Sequence, residues 1–173
     1  MGSPSSSFSA EERLNSERYR REQYRSLVGF VVGEVAYAVP TSSVREITTP
    51  TALTELPHLP RGVIGVFEHR GQVVPVIDLR ACFNVPAQAS SGRSQWIIVE
   101  VSSHRVGLCV NRVTGVFEVG FGGLKPVPEL GKGVDPRNLV GVATQEGRLT
   151  FVLDVAAFRT YTLDIPLPEL PPG

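Results

Sequence analysis

The side chains that could perform catalysis or hold a metal are few and scattered along the 173 residues. The histidines His58, His69 and His104 lie far apart, and none has the i, i+4 spacing of a zinc-binding pair on a helix. Cys82 and Cys109 follow no zinc or redox spacing and are too few for a disulfide framework. The glycine-rich segments lack the P-loop spacing, and no G-x-S-x-G nucleophile motif occurs. We therefore expect no catalytic residues, no metal and no cofactor, and we expect that the protein is not an enzyme.

The charge balance and hydropathy exclude further classes of function. Seventeen basic residues balance seventeen acidic ones, so no overall field would attract nucleic acid or an anionic membrane. No apolar stretch approaches the roughly 18 to 20 residues of a transmembrane helix, and the first seven residues lack the regions of a secretory signal. With two reduced cysteines, these features favour a cytoplasmic protein.

One supersecondary unit is used twice. Residues 63–79 align without gaps with residues 139–155, so that Gly65 matches Gly141 and Gly71 matches Gly147 at a constant offset of 76. Self-similarity of this kind indicates a duplicated structural unit. The sequence of each copy predicts two strands that are joined by a turn at an X-Gly pair. An aspartate follows the second strand and could start a short helix.

The rest of the chain also indicates β-structure between two unlike ends. Apolar and β-branched runs separated by polar turns predict further strands at 27–32, 35–39, 96–101, 105–110 and 113–119. Ser9 and Glu12 have capping-box spacing before a charged segment, which predicts a helix with only a thin apolar stripe. The segment 120–137 reads as a loop, and 163–173 is a proline-rich tail that favours an extended arm.

We therefore predict a mainly β protein made of two similar small barrels, with short helices after each repeated hairpin. The divisions are a helical or disordered extension over 1–25, a central domain over 26–162 with barrels at about 34–92 and 93–162, and the tail. Each barrel alone would be marginally stable, so the two should pack together or exchange strands.

Differences between the copies point to residues that the fold does not require. Arg70 is matched by Glu146, and Glu46 by Gly115 in a weaker alignment of Val44 with Val113. Charged residues at strand ends are candidate recognition groups. A solvated turn residue is the alternative for Arg70, and an exposed strand-end charge the alternative for Glu46.

At these residues the chain resembles the CheW family of chemotaxis coupling proteins. The resemblance covers about residues 27–162 and rests on motifs in a specific order: FVVG at 30–33, YAVP at 37–40, VREI at 44–47, LPHLP at 56–60, VIGV at 63–66, RGQVVPVIDL at 70–79 and VGLCV at 106–110.

The resemblance implies two SH3-like five-stranded β-barrels packed together and no catalysis. It implies an adaptor that couples the cytoplasmic tip of chemoreceptors to the regulatory domain of a CheA-type histidine kinase, and that reaches the membrane only through the receptors. The matching motifs imply that four residues lie at or near the receptor-binding groove: Val44, Glu46, Gly65 and Arg70. Glu68 and His69 adjoin them and complete the predicted groove, whereas no residue can be assigned to the kinase contact.

The chain also departs from the family pattern. The pair before Arg-Gly is usually Asn-Leu but is Glu68-His69 here, and Asn111 replaces an acid in the second half. These departures leave open a divergent scaffold that binds another partner or has lost the receptor or kinase contact. A small-molecule binder or hydrolase that uses the groove between the barrels is the least favoured alternative.

Overall fold

The computed structural model describes residues 9–86, 94–128 and 139–161. It contains ten strands: β1 Ser26–Val32, β2 Val35–Pro40, β3 Val44–Thr48, β4 Val63–His69, β5 Gln72–Asp78, β6 Gln95–Val101, β7 His104–Val110, β8 Arg112–Glu118, β9 Leu139–Gln145 and β10 Arg148–Leu153. The helices are α1 Ala10–Gln23, a 3₁₀ turn Thr41–Ser43, α2 Leu79–Cys82 and a 3₁₀ helix Val155–Tyr161. The predictions for residues 1–8 and for the proline-rich tail lie outside the described residues, as does part of the predicted loop.

The strands form two five-stranded sheets. The first sheet has the order β8-β1-β2-β10-β9 and the second has the order β3-β6-β7-β5-β4. Most neighbours are antiparallel, but β2 pairs with β10, and β5 with β7, in parallel. The prediction of a mainly β fold with two SH3-like barrels is confirmed.

The sheets do not follow the order of the chain. Strands β1 to β5 form the first repeat and β6 to β10 the second, and each sheet combines one repeat's first hairpin with the other repeat's last three strands. The predicted range 34–92 begins after β1, and each sheet takes strands from both sides of residue 93. Four strand pairs join the repeats: the parallel pairs β2–β10 and β5–β7 and the antiparallel pairs β1–β8 and β3–β6.

A shared core joins the two sheets. Phe30 and Val39 from the first sheet belong to the same buried cluster as Ile97 and Leu108 from the second, and all four are inaccessible to solvent. Phe158, from the 3₁₀ helix after β10, is buried in the same cluster. Burial of apolar surface stabilises by about 25 cal/mol per Å², so neither barrel would keep its full core without the other.

The repeated hairpins fold as predicted. Arg70 and Gly71 have φ of 50° and 80°, and Glu146 and Gly147 have φ of 50° and 76°. Positive φ at both central residues is the type I′ geometry that suits the twist of a two-residue hairpin. The glycine of each pair takes this conformation without a steric penalty.

The helices also begin where the sequence predicts. The side chain of Asp78 accepts from the backbone N–H of Arg80, and that of Asp154 accepts from the N–H of Ala156, so each hairpin is followed by a capped short helix. Helix α1 begins with a capping box between Ser9 and Glu12. No residue of α1 is buried, which agrees with its thin apolar stripe.

Candidate functional site

Three predicted residues meet where the edges of the second sheet approach each other. Glu46 lies on the edge strand β3, His69 ends the opposite edge strand β4, and Arg70 begins the turn after it. One carboxylate oxygen of Glu46, Oε2, contacts both His69 Nε2 and Arg70 Nε, the latter at 3.4 Å. The two edges share no ladder of backbone hydrogen bonds, so this side-chain bridge connects them. We call Glu46, His69 and Arg70 the edge cluster.

His69 is the inner member of the edge cluster. Its side chain is only 11% exposed, and its ring lies 5.9 Å from that of Phe67, which in turn lies 5.0 Å from the ring of Trp96. Nη1 of Arg105 lies 3.4 Å from His69 Nδ1. A guanidinium can only donate, so Nδ1 of the neutral imidazole accepts and Nε2 carries the proton that is donated to Glu46. The order of donation is therefore Arg105 to His69 to Glu46.

Arg70 is the outer member of the edge cluster. Its side chain is 72% exposed, so most of its guanidinium donors face solvent. A planar guanidinium can bind a carboxylate through two parallel hydrogen bonds. The arrangement therefore presents a cation whose direction is fixed by Glu46 but whose donors remain available to a partner.

The electrostatics of the cluster favour an ionised Glu46. Hydrogen bonds from His69 and then from Arg70 lower the pKa of the Glu46 carboxyl below its usual range, and the charge of Arg70 acts in the same direction. A carboxylate held in this way stays charged in mildly acidic solution.

The other predicted site residues lie outside the edge cluster. Val44 lies on β3, pairs with Val99 and packs partly buried against the shared core. Glu68 is exposed beside the cluster, and no hydrogen bond or ion pair of its side chain is found within residues 9–86, 94–128 and 139–161. Gly65 is buried on β4 beneath residues 53–54. The structure thus brings Glu46, His69 and Arg70 into contact but leaves Val44, Glu68 and Gly65 as neighbours.

Gly65 has a structural function that its repeat partner shares. A Cβ on Gly65 would lie 2.9 Å from the carbonyl oxygen of Thr54, and a Cβ on Gly141 would lie 2.9 Å from that of Lys125. In each repeat the segment that crosses the glycine forms a bridge with the following valine, Thr54 with Val66 and Lys125 with Val142. A glycine is needed at both sites because a backbone passes directly over the strand.

Sequence reasoning missed the part of the site that comes from the second repeat. Arg105, which contacts His69, lies on β7, and Glu100, which pairs with Arg45 of β3 (Nε to Oε2, 2.7 Å), lies on β6. Neither stands in a motif. They reach the first repeat only because β7 pairs with β5 and β6 with β3.

The matching end of the first sheet carries no counterpart of the edge cluster. Gly115 stands on β8 where Glu46 stands on β3, and Glu146 replaces Arg70. Arg148 donates instead to the backbone oxygen of Glu34 at 2.6 Å. At this turn position the second sheet therefore presents an arginine and the first sheet a glutamate.

Two of the departures from the family pattern, Asn111 and His69, have local structural explanations. The side-chain oxygen of Asn111 accepts from the N–H of Gly33 at 2.8 Å, and the N–H of Asn111 donates to Val31, so it secures the β1–β2 turn. His69 joins the edge cluster. Both residues thus stabilise the fold as well as altering its surface.

Within the described parts of the chain, no group of three or more His, Cys, Asp or Glu side chains could hold a metal ion. The helices in those parts include none that is long and apolar enough to cross a membrane.

Comparison with known proteins gives consistent matches over most of the chain. A family model described as "CheW-like domain" matches residues 26–160. The chain is 31% identical over 146 residues to "Chemotaxis protein CheW" of Helicobacter pylori, covering 84% of this chain and 87% of the relative. It is 29% identical over 138 residues to "Protein FrzA" of Myxococcus xanthus, covering 80% and 84% respectively.

A solved structure is also similar. The crystal structure of scaffolding protein TtCheW from Thermoanaerobacter tengcongensis matches with a TM-score of 0.68 and 26% identity, covering 76% of this chain and 84% of that one. The family-model match leaves helix α1 and the residues after 160 outside its range.

Proposed function

This chain belongs to the CheW family, and from that premise we propose that it is a cytoplasmic, non-enzymatic adaptor in chemosensory signalling. A relative named as a chemotaxis protein and a solved structure named as a scaffolding protein align over most of their length with this chain. The adaptor would couple the cytoplasmic tip of chemoreceptors to a CheA-type histidine kinase. The observation that carries the proposal is the edge cluster on one of two otherwise matching barrels.

The edge cluster supports a receptor contact. Arg70 is exposed and directed by Glu46, and Glu68 adds an exposed carboxylate beside it. A neighbouring pair of opposite charges selects a partner by complementarity and affects encounter more than raw affinity. We therefore assign Val44, Glu46, Glu68, His69 and Arg70 to the receptor-facing surface.

Gly65 belongs to that surface indirectly. It is buried under residues 53–54 and holds β4 in place, so its contribution to receptor binding would be to position the end of the strand.

The kinase contact is the second proposed interface. A regulatory domain of a CheA-type kinase with the same two-barrel fold would meet an end of one barrel, which leaves the edge cluster free for a receptor. Signalling assemblies of this kind use modest, reversible interfaces, so we expect micromolar affinities at both contacts.

A charge reversal at Arg70 tests the receptor contact. Glu146 occupies the same turn position with the same φ of 50° as Arg70, so the hairpin tolerates glutamate there and Arg70→Glu should fold normally. We expect this variant to bind a receptor-tip fragment at least roughly 10-fold more weakly, which corresponds to ~1.4 kcal/mol. Binding to the kinase regulatory domain should change less than twofold.

Arg112→Glu is the matched control because Arg112 is also exposed and the change in charge is identical. It should leave receptor binding unchanged. Equal affinity of Arg70→Glu and the parent chain for the receptor fragment would contradict the receptor assignment. A parent chain that binds neither fragment at high concentration, with its fold intact, would contradict the adaptor itself.

A further inference from the structure

A groove lies between the end of helix α1 and the chain that follows β8. It encloses about 860 Å³. Tyr24, Val119, Leu124 and Val140, which belong to one apolar cluster, line it. Backbone hydrogen bonds keep the walls together, with Val119 N–H donating to the oxygen of Arg25 at 2.8 Å. The side chain of Arg20 reaches the oxygen of Val140 at 3.4 Å.

The rim of this groove is basic and carries an exposed aromatic ring. Arg20, Arg21, Arg25 and Lys125 line it, against two carboxylates. Across the described stretches of the chain, none of these four cations forms an ion pair with a carboxylate. Phe121 on the same rim is fully exposed. Unpaired cations beside an exposed ring suit an occupant with carboxylates and apolar side chains.

The groove depends on a part of the chain outside the family domain. The matched family range begins at residue 26 and ends at 160, whereas helix α1 supplies one wall of the groove. The chain has a second addition, residues 162–173, with the sequence TLDIPLPELPPG. This segment has Asp164 and Glu169 but no Lys or Arg, and it has four apolar residues: Leu163, Ile165, Leu167 and Leu170.

We propose that residues 162–173 dock in cis into the groove formed by helix α1 and residues 118–126. In this arrangement Asp164 and Glu169 pair with the cationic rim, and the apolar side chains cover Phe121 and the groove floor. The occupant is the chain's own second addition, which complements the groove in both charge and hydropathy. This inference is independent of the receptor and kinase contacts proposed above.

The geometry allows the tail to reach the groove. Val152, two residues before Asp154, belongs to the same buried apolar cluster as Tyr24, so the end of β10 lies near the groove floor. The 3₁₀ helix Val155–Tyr161 rises by about 2.0 Å per residue, roughly 14 Å in all. A proline-rich chain of twelve residues, the length of segment 162–173, can span up to roughly 37 Å at about 3.1 Å per residue, which exceeds the length of the 3₁₀ helix.

The test uses the full chain with a charge-neutral tail, Asp164→Asn with Glu169→Gln. Backbone amide NMR shifts of residues 17–25 and 118–126 should differ between this variant and the parent chain. A synthetic peptide of residues 162–173, added to the variant, should move those amides back toward the parent positions. Because a short tether gives an effective concentration near millimolar, the peptide should bind the parent chain at least about 10-fold more weakly than the variant.

Two groove variants provide the matched comparison. At the amides of residues 118–126, which lie on the facing wall, Arg20→Gln with Arg25→Gln should reproduce the shifts of the neutral tail, whereas Arg18→Gln on the same helix, outside the groove lining, should not. The proposal is overturned if tail neutralisation moves only amides of residues 155–161, or if the peptide binds parent and variant equally. Shifts that depend on protein concentration would also overturn it, since they would place the tail on a second copy.

Discussion

Replacing Gly65 with alanine should destabilise this protein strongly, because two separate penalties fall on one residue. Its φ is 154°, a backbone conformation that L residues with a side chain rarely adopt. An added Cβ would lie 2.9 Å from the carbonyl oxygen of Thr54 and 3.1 Å from Cβ of Leu53. The crossing segment cannot simply move away, since Thr54 and Val66 exchange two backbone hydrogen bonds of 2.8 and 2.9 Å.

The two penalties can be given magnitudes. Overpacking a close contact costs about 1–3 kcal/mol, and a strained backbone conformation costs about 1–3 kcal/mol. We therefore expect Gly65→Ala to lower the free energy of unfolding by roughly 2–6 kcal/mol. For a chain of this size, 1 kcal/mol corresponds to a change in Tm of about 2–4 °C, so the melting temperature should fall by at least ~4 °C.

Three other glycines separate the two penalties. In Gly141→Ala the added Cβ would lie 2.9 Å from the oxygen of Lys125, but φ of Gly141 is not positive, so we expect only the ~1–3 kcal/mol of overpacking. Gly71→Ala has open space around it but a φ of 80°, so only backbone strain of about 1–2 kcal/mol applies. Gly120→Ala has neither penalty and should change stability by less than ~0.5 kcal/mol.

Urea denaturation followed by far-ultraviolet circular dichroism measures this series. The losses should be largest at Gly65, intermediate at Gly141 and Gly71, and smallest at Gly120. A loss at Gly65 no larger than that at Gly71 would refute the steric argument. In conditions where Gly65→Ala is folded, it should also bind the receptor fragment more weakly than the parent chain, because Gly65 positions the end of β4.

Further predictions concern titration, thiol reactivity and capping. Since the pKa of Glu46 is lowered in the folded chain, its ionised form stabilises the fold above the unfolded value near 4.5, and that contribution is lost as pH falls through the folded value. Glu46→Gln should therefore be less stable than the parent chain at neutral pH, and urea midpoints of the two should converge well below pH 4.5. Burial, with a smaller contribution from the charge of Asp78, raises the pKa of Cys82 to about 11. At pH 8 its alkylation by iodoacetamide, followed by mass spectrometry, should be roughly 100-fold slower than that of an unperturbed thiol. Asp154→Ala removes one helix cap and should lower the free energy of unfolding by about 0.5–2 kcal/mol. Asp78→Ala should lower the free energy of unfolding by more than Asp154→Ala, because Asp78 also pairs with Arg80 at 3.0 Å. Equal losses of the two variants in calorimetry would contradict a stabilising role for that ion pair.

The local features of the fold could be predicted from the sequence because each depends on a few neighbouring residues. The turn at Arg70-Gly71 needs positive φ, which glycine permits. The capping box at Ser9 and the aspartate at the start of each short helix act within three residues. The order of the family motifs identified the class of fold, and the difference between Arg70 and Glu146 directed attention to the end of β4.

The edge cluster could be predicted only in part. The resemblance predicted Glu46 and Arg70 on one surface, with His69 adjoining as a departure from the family pattern, and the structure brings the three into contact. The contact of Arg105 with His69 could not be foreseen, because the two residues are 36 positions apart in the chain and belong to different repeats. The alignment of the two copies showed that Gly65 and Gly141 occupy matching positions. It could not show why both are glycine, which is that another backbone segment crosses directly over each of them.

By itself the sequence determined the repeat, the strands, the turns and the absence of familiar catalytic motifs, since these depend on side-chain periodicity and on the backbone conformations open to single residues. The tertiary structure alone decided that the repeats exchange their first hairpins, and hence which side chains surround His69. Strand pairing between residues far apart in the chain is chosen by how two sheets bury a common core, and that choice is a property of the whole assembly of strands.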